Sequence, residues 1–177
     1  MPGYLLKSFE ILTLLLFLAT PFFLFRKKRF GTLVVMGMTL FSATIAELIN
    51  EFVTQVTSYN PSFIFKAPHS EIPLFIIAGA ALLSAGIFEG AVFADSCFRK
   101  QSRLRAMLFA FLLSIPLPLF EIMGIESGMW KWLHECNIYN PFWLFGVWKY
   151  YAFVISPAII ACFFRRAKMI SEAEQTS

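Results

Sequence analysis

Residues 116–151 read PLPLFEIMGIESGMWKWLHECNIYNPFWLFGVWKYY. An apolar run carries Glu121, a short loop rich in aromatic residues follows, and a second apolar run starts after Pro141. The first half of the chain repeats this order. Glu47 closes an apolar run, the loop carries Tyr59, Asn60 and Pro61, and Ile72-Pro73-Leu74 opens the next run. A carboxylate at a helix end, an aromatic loop and a proline-started helix, present twice, predict two tandem membrane hairpins in the same orientation, a parallel repeat.

Composition agrees with a membrane setting. Of 177 residues 58% are hydrophobic and 22 are phenylalanine, with a mean hydropathy of +0.69. A soluble domain of this size cannot hide so much apolar surface, so the bilayer is the expected solvent. Five segments are long enough to span it, at about residues 5–25, 31–53, 72–95, 104–124 and 141–164. Each supplies roughly 20 mostly apolar residues, as a hydrocarbon core about 30 Å thick requires. Lipid offers no partner to open backbone groups, so the expected fold is all-α, a single-domain bundle of five transmembrane helices. The N-terminal run has no small-residue cleavage site and its basic cluster follows it, so it reads as a retained helix.

The net charge of +4 matters less than its distribution. Arg26, Lys27, Lys28, Arg29, Arg99, Lys100, Arg103, Arg105, Arg165, Arg166 and Lys168 fall on one side of the expected bundle, against Lys7, Lys66 and Lys131 on the other. Eleven against three predicts a cell-membrane protein with its N-terminus outside, its C-terminus cytoplasmic and both aromatic loops outward. Basic residues in short clusters between apolar runs give no nucleic-acid surface. Cys97, Cys136 and Cys162 lack metal or redox spacing and are expected to be free thiols.

Several residues are out of place for a plain span. Glu47 and Glu121 have apolar neighbours, and ionisable groups inside a span face the bundle interior and need partners. Glu51 shares a helix face with Glu47, as a helix leaving the membrane would also do. Lys149 lies eight residues past Pro141, about 12 Å into the fifth helix, with Glu121 as first candidate partner and Glu47 as second. Glu89 falls near the basic interface. His69, His134 and Cys136 sit in the outer loops, but their spacing fits no metal-ligand pattern, and no cofactor motif is present. Gly86 and Gly90 form a small-xxx-small pair suited to a close helix neighbour, including one in a homo- or hetero-oligomer. Pro116 and Pro118 should bend the fourth helix below Glu121, and Pro157 the fifth. Trp130, Trp132, Tyr139 and Trp143 occupy an interface belt, with Trp148, Tyr150 and Tyr151 deeper. Aromatic faces beside a carboxylic acid suit chemistry on polyenes, where the acid protonates a C=C bond and ring faces stabilise the carbocation.

Gly128-Met-Trp130-Lys-Trp132, followed by Tyr139-Asn-Pro141 and Gly146-Val-Trp148, resembles the second half of the carotenoid-biosynthesis membrane family, which includes carotenoid hydratases and is distantly similar to the small lycopene cyclases. Its pattern is an acidic residue, then G-x-W-x-W, an aromatic, a proline-led helix start and Gly-Trp. Glu121 takes the acidic place. Glu47, Tyr59 and Ile72-Pro73-Leu74 are similar to the family's other repeat, and the resemblance covers about residues 40–150. The chain departs from the cyclase pattern in having Phe75 and Ile76, rather than paired acids, after Pro73. It departs from the hydratase pattern in placing Asn140 before Pro141, and the family has more than five spans. The resemblance implies acid-catalysed modification of an isoprenoid or carotenoid, with Glu121 and Glu47 as acids, Lys149 as an electrostatic partner, and Trp130, Trp132, Tyr59, Tyr139 and Trp148 lining the substrate. The competing expectation is a non-enzymatic membrane subunit, a lipid-binding module or a small transporter whose buried charges are structural.

Overall fold

The computed structural model describes residues 3–54, 57–98, 101–133 and 150–164. Helix α1 (Gly3–Arg26) is followed by α2 (Phe30–Ile49), which runs on through a π-helical turn, Asn50–Thr54. A short strand β1 (Thr57–Tyr59) and a loop lead to α3 (Leu74–Ser96). Helices α4 (Arg103–Ser114) and α5 (Leu117–Glu126) come next, then strand β2 (Trp130–Trp132). A π-helical turn, Tyr150–Ile155, enters the apolar helix α6 (Ala152–Phe164).

Among the described residues, four stretches are long and apolar enough to cross a membrane: Gly3–Arg26, Phe30–Val53, Leu74–Ser96 and Arg103–Glu126. Of the expected fifth span at 141–164, only residues 150–164 are described. The fourth span is broken between α4 and α5, where Pro116 occupies the α5 N-cap. Its ring cannot continue the α4 ladder. Large side chains such as Leu15, Leu18, Phe22 and Phe41 point away from the bundle, as lipid-facing positions do.

Helix α3 is the centre, packed against α1, α2, α4 and the Tyr150–Ile155 turn. Its buried face mixes large residues such as Phe75 and Phe88 with small ones, Ala78, Ala81, Ser84, Ala85 and Ala91, and the small ones let neighbouring backbones approach closely. Gly90 belongs to this face, since a Cβ there would stand 3.0 Å from Leu113 of α4, whereas one at Gly86 would meet nothing within 4 Å. Pro157 has no N–H for the carbonyl of Phe153, four residues back. Ser42 of α2 donates its hydroxyl to that carbonyl at 2.5 Å, tying α6 to the bundle.

Two helix ends share one closing geometry. After α1, Lys28 N–H donates to Phe25 O (3.0 Å) and Arg29 N–H to Leu24 O (2.9 Å). After α5, Gly128 N–H donates to Ile125 O (3.0 Å) and Met129 N–H to Gly124 O (2.9 Å). Both are Schellman caps, which need a left-handed residue just past the helix. Gly128 takes it with φ 75° and Lys28 with φ 56°.

The ends of the bundle differ in chemistry. One holds the inter-helix turns, where Arg29 pairs with Glu89 at 3.5 Å and Thr32 donates to Glu89. There Asp95 accepts from Arg105 Nε at 2.9 Å and from Ser102 N–H at 3.1 Å. The other end holds the aromatic loops. They join there in a feature with no helical counterpart: β1 and β2 pair antiparallel, with Thr57 opposite Trp132, Ser58 opposite Lys131 and Tyr59 opposite Trp130.

Candidate functional site

The site is assembled by that ladder. Tyr59 donates its hydroxyl to Glu47 Oε2, and Trp130 Nε1 donates to Glu121 Oε1 at 2.9 Å. Each ring thus reaches back to the carboxylate of its own helix, twelve residues before Tyr59 and nine before Trp130. The ladder sets Tyr59 opposite Trp130, and antiparallel partners hold their Cβ atoms about 4.5–5.5 Å apart. Glu47 and Glu121 are 5% and 7% exposed, so both acids sit out of water at one end of the bundle.

Local sequence explains the second pair closely. Gly128 ends α5 with a left-handed turn that reverses the chain, and Trp130 folds back along the helix it has just left. Its indole lies on Gly124, where a Cβ would stand 2.0 Å from the ring. Glycine is therefore required at 124 for contact and at 128 for conformation. The indole N–H can only donate, so Glu121 Oε1 is an acceptor here.

In the first half, α2 opens into its π-helical turn at Asn50, three residues after Glu47, a distortion frequent at functional sites. Asn50 Oδ1 accepts Thr57 N–H at 3.2 Å, which starts β1. Asn60 then locks the halves together. Its N–H donates to Met129 O at 2.9 Å and its side chain to Gly128 O at 2.8 Å.

Two further carboxylates hold the loop of residues 60–73. Glu10 of α1 is fully buried, and its two oxygens accept Ile64 N–H at 2.9 Å and Phe65 N–H at 2.8 Å. Glu51 accepts the Ser70 hydroxyl at 2.5 Å and Glu71 N–H at 2.8 Å. Glu71 itself pairs with Lys66 at the surface.

The structure thus brings together Glu47, Glu121, Tyr59 and Trp130. Trp132 contributes its backbone to the ladder. Tyr139, Trp148 and Lys149 lie outside the described residues, as do His134 and Cys136. Cys97 is an exposed free thiol and Cys162 is buried. Sequence reading assigned no site role to Glu10, Asn60 or Gly124. A lone acid in an otherwise apolar helix was the available signal for Glu10. Backbone-directed contacts leave no comparable mark for Asn60.

No family model matches this chain, and comparison with curated proteins and with solved structures gave no match.

Proposed function

We propose that the chain is a membrane enzyme that modifies a long isoprenoid or carotenoid by protonating a C=C bond. The observation that carries this reading is the pair of buried carboxylates, each beside an aromatic ring, joined on one ladder at one end of an apolar bundle. In the reaction, a carboxylic acid O–H gives its proton to one alkene carbon and leaves a carbocation on the other. Water then adds and loses a proton, or a second C=C closes a ring and a neighbouring C–H proton is lost. The carboxylate recovers a proton, so the cycle is redox-neutral. Glu47 and Glu121 are the acids, with Lys149 an electrostatic partner to one of them. Tyr59, Trp130, Trp132, Tyr139 and Trp148 line the substrate. Rings near a developing cation lower its energy through their quadrupoles.

The same reading takes the protein as five spans in two parallel hairpins after a first helix, N-terminus outside. Its supports are the segregation of Arg29, Arg103 and Arg105 to the end away from the ladder, and the matched carboxylate–ring pairs in the two halves. The test is conversion of polyene and prenyl substrates by purified protein, followed by mass spectrometry. Conversion lost in a Glu→Gln variant that still folds supports the enzyme. A wild type inert across isoprenoid substrates rejects it.

A non-enzymatic membrane module is favoured by one specific observation: Glu10 and Glu51 spend both oxygens on holding a loop. If Glu47 and Glu121 only hold their rings, substitution will change stability and leave every conversion untouched.

A further inference from the structure

The α1–α2 turn is the most concentrated charge on the molecule. Arg26, Lys27, Lys28 and Arg29 are consecutive and exposed. Only Arg29 has an acidic partner among the described residues, Glu89 at 3.5 Å. Arg105, farther along the chain, is by contrast joined to Asp95 and stacked on Phe98 at 4.2 Å. The turn therefore presents three cations that no acid among the described residues compensates.

Its shape is as specific as its charge. The Schellman cap fixes the backbone through Leu24 and Phe25 carbonyls, so the cations are held in one tight turn rather than on a loose loop. Lys28 occupies the left-handed position with φ 56°, where glycine is the unstrained choice. Immediately below, Phe22, Phe23, Phe25 and Phe30 are all exposed, Phe25 and Phe30 touching edge to face at 5.7 Å. Lys27 lies 5.8 Å from the Phe23 ring. Cations at headgroup depth over rings at acyl depth match the two parts of a phospholipid.

We propose that this turn is a binding site for an anionic phospholipid of the leaflet it faces, its phosphodiester held by Arg26, Lys27 and Lys28 and its acyl chains lying along the phenylalanine collar. Juxtamembrane cations attract anionic lipid, the affinity rising about fivefold for each one. The site is at the opposite end from the ladder, and the proposal stands whether or not the chain is an enzyme.

The test uses the full chain in nanodiscs of phosphatidylcholine, with and without phosphatidylglycerol, reading the thermal midpoint and the lipid retained in native mass spectra. Phosphatidylglycerol should raise the midpoint and be enriched among retained lipids. The triple variant R26Q/K27Q/K28Q should lose most of both effects, and K7Q/K131Q neither. Lys28→Gly guards against misfolding, because glycine suits the φ at 28. It should match or exceed wild type in phosphatidylcholine yet lose about fivefold of the preference. Inorganic phosphate in excess should leave the preference unchanged. An absent preference in the wild type, an intact one in the triple variant or in Lys28→Gly, or displacement of the lipid by free phosphate would each overturn the proposal.

Discussion

Tyr59 and Trp130 stand opposite each other on the β1–β2 ladder, Tyr59 donating its hydroxyl to Glu47 and Trp130 its indole N–H to Glu121. The pairing turns two separate helix-end acids into one unit. Because Asn60 also bonds Gly128 and Met129, neither ring can shift without disturbing the other half.

Gly124→Ala places a methyl inside the Trp130 indole. The ring must move, and overpacking of this kind costs about 1–3 kcal/mol. Tryptophan fluorescence should change relative to wild type, and should not change further when Gly124→Ala is made in a Trp130→Phe background. Gly86→Ala, which meets nothing within 4 Å, should be neutral. Equal behaviour of the two alanine variants would refute the packing described.

Glu121→Gln keeps an oxygen that can accept from the indole, while Glu121→Leu leaves the N–H of Trp130 without it. The leucine variant should be less stable than the glutamine variant by about 1–3 kcal/mol, measured by denaturation in detergent. In a Trp130→Phe background that gap should shrink. A gap that persists there would mean that the indole is not what distinguishes the two.

Glu10→Ala removes the acceptor of two neighbouring amides. Hydrogen exchange at Ile64 and Phe65 should accelerate while the centre of α3 keeps its protection, with a stability loss of about 1–3 kcal/mol. Unchanged exchange at both amides would show that α1 does not hold the loop of residues 60–73.

Reporter fusions test orientation. A reporter at the N-terminus should be exported, and reporters after Arg103 or Arg166 should stay cytoplasmic. Both ends of the chain on the same side would remove one of the five proposed spans.

Much of this arrangement was legible before the structure. Hydropathy located the four described long helices, Pro73 marked the start of α3, and Pro116 marked the break before α5, because helix period and proline chemistry are local properties. Glu47 and Glu121 stood out by being acids among apolar neighbours. The ladder did not. Its strands of three residues are too short to show alternation, and their meeting depends on contacts far apart in sequence. Glu10 was legible as an anomaly but not in its role, since its partners are backbone N–H groups that any residue supplies. The expected pairing of Lys149 with Glu121 or Glu47 lies outside the described residues.

The most direct test of the acid chemistry is isotopic. Purified protein in nanodiscs is incubated in D2O with polyene and prenyl substrates, and the lipids are examined for deuterium bound to carbon. Protonation of a C=C bond by a carboxylic acid that exchanges with solvent must leave deuterium at an alkene carbon. The account predicts incorporation by the wild type and its loss in Glu47→Gln or Glu121→Gln, with the ladder and fold intact because the glutamine oxygen still accepts from the ring. Full incorporation in both variants, or none in the wild type with any substrate, would contradict it.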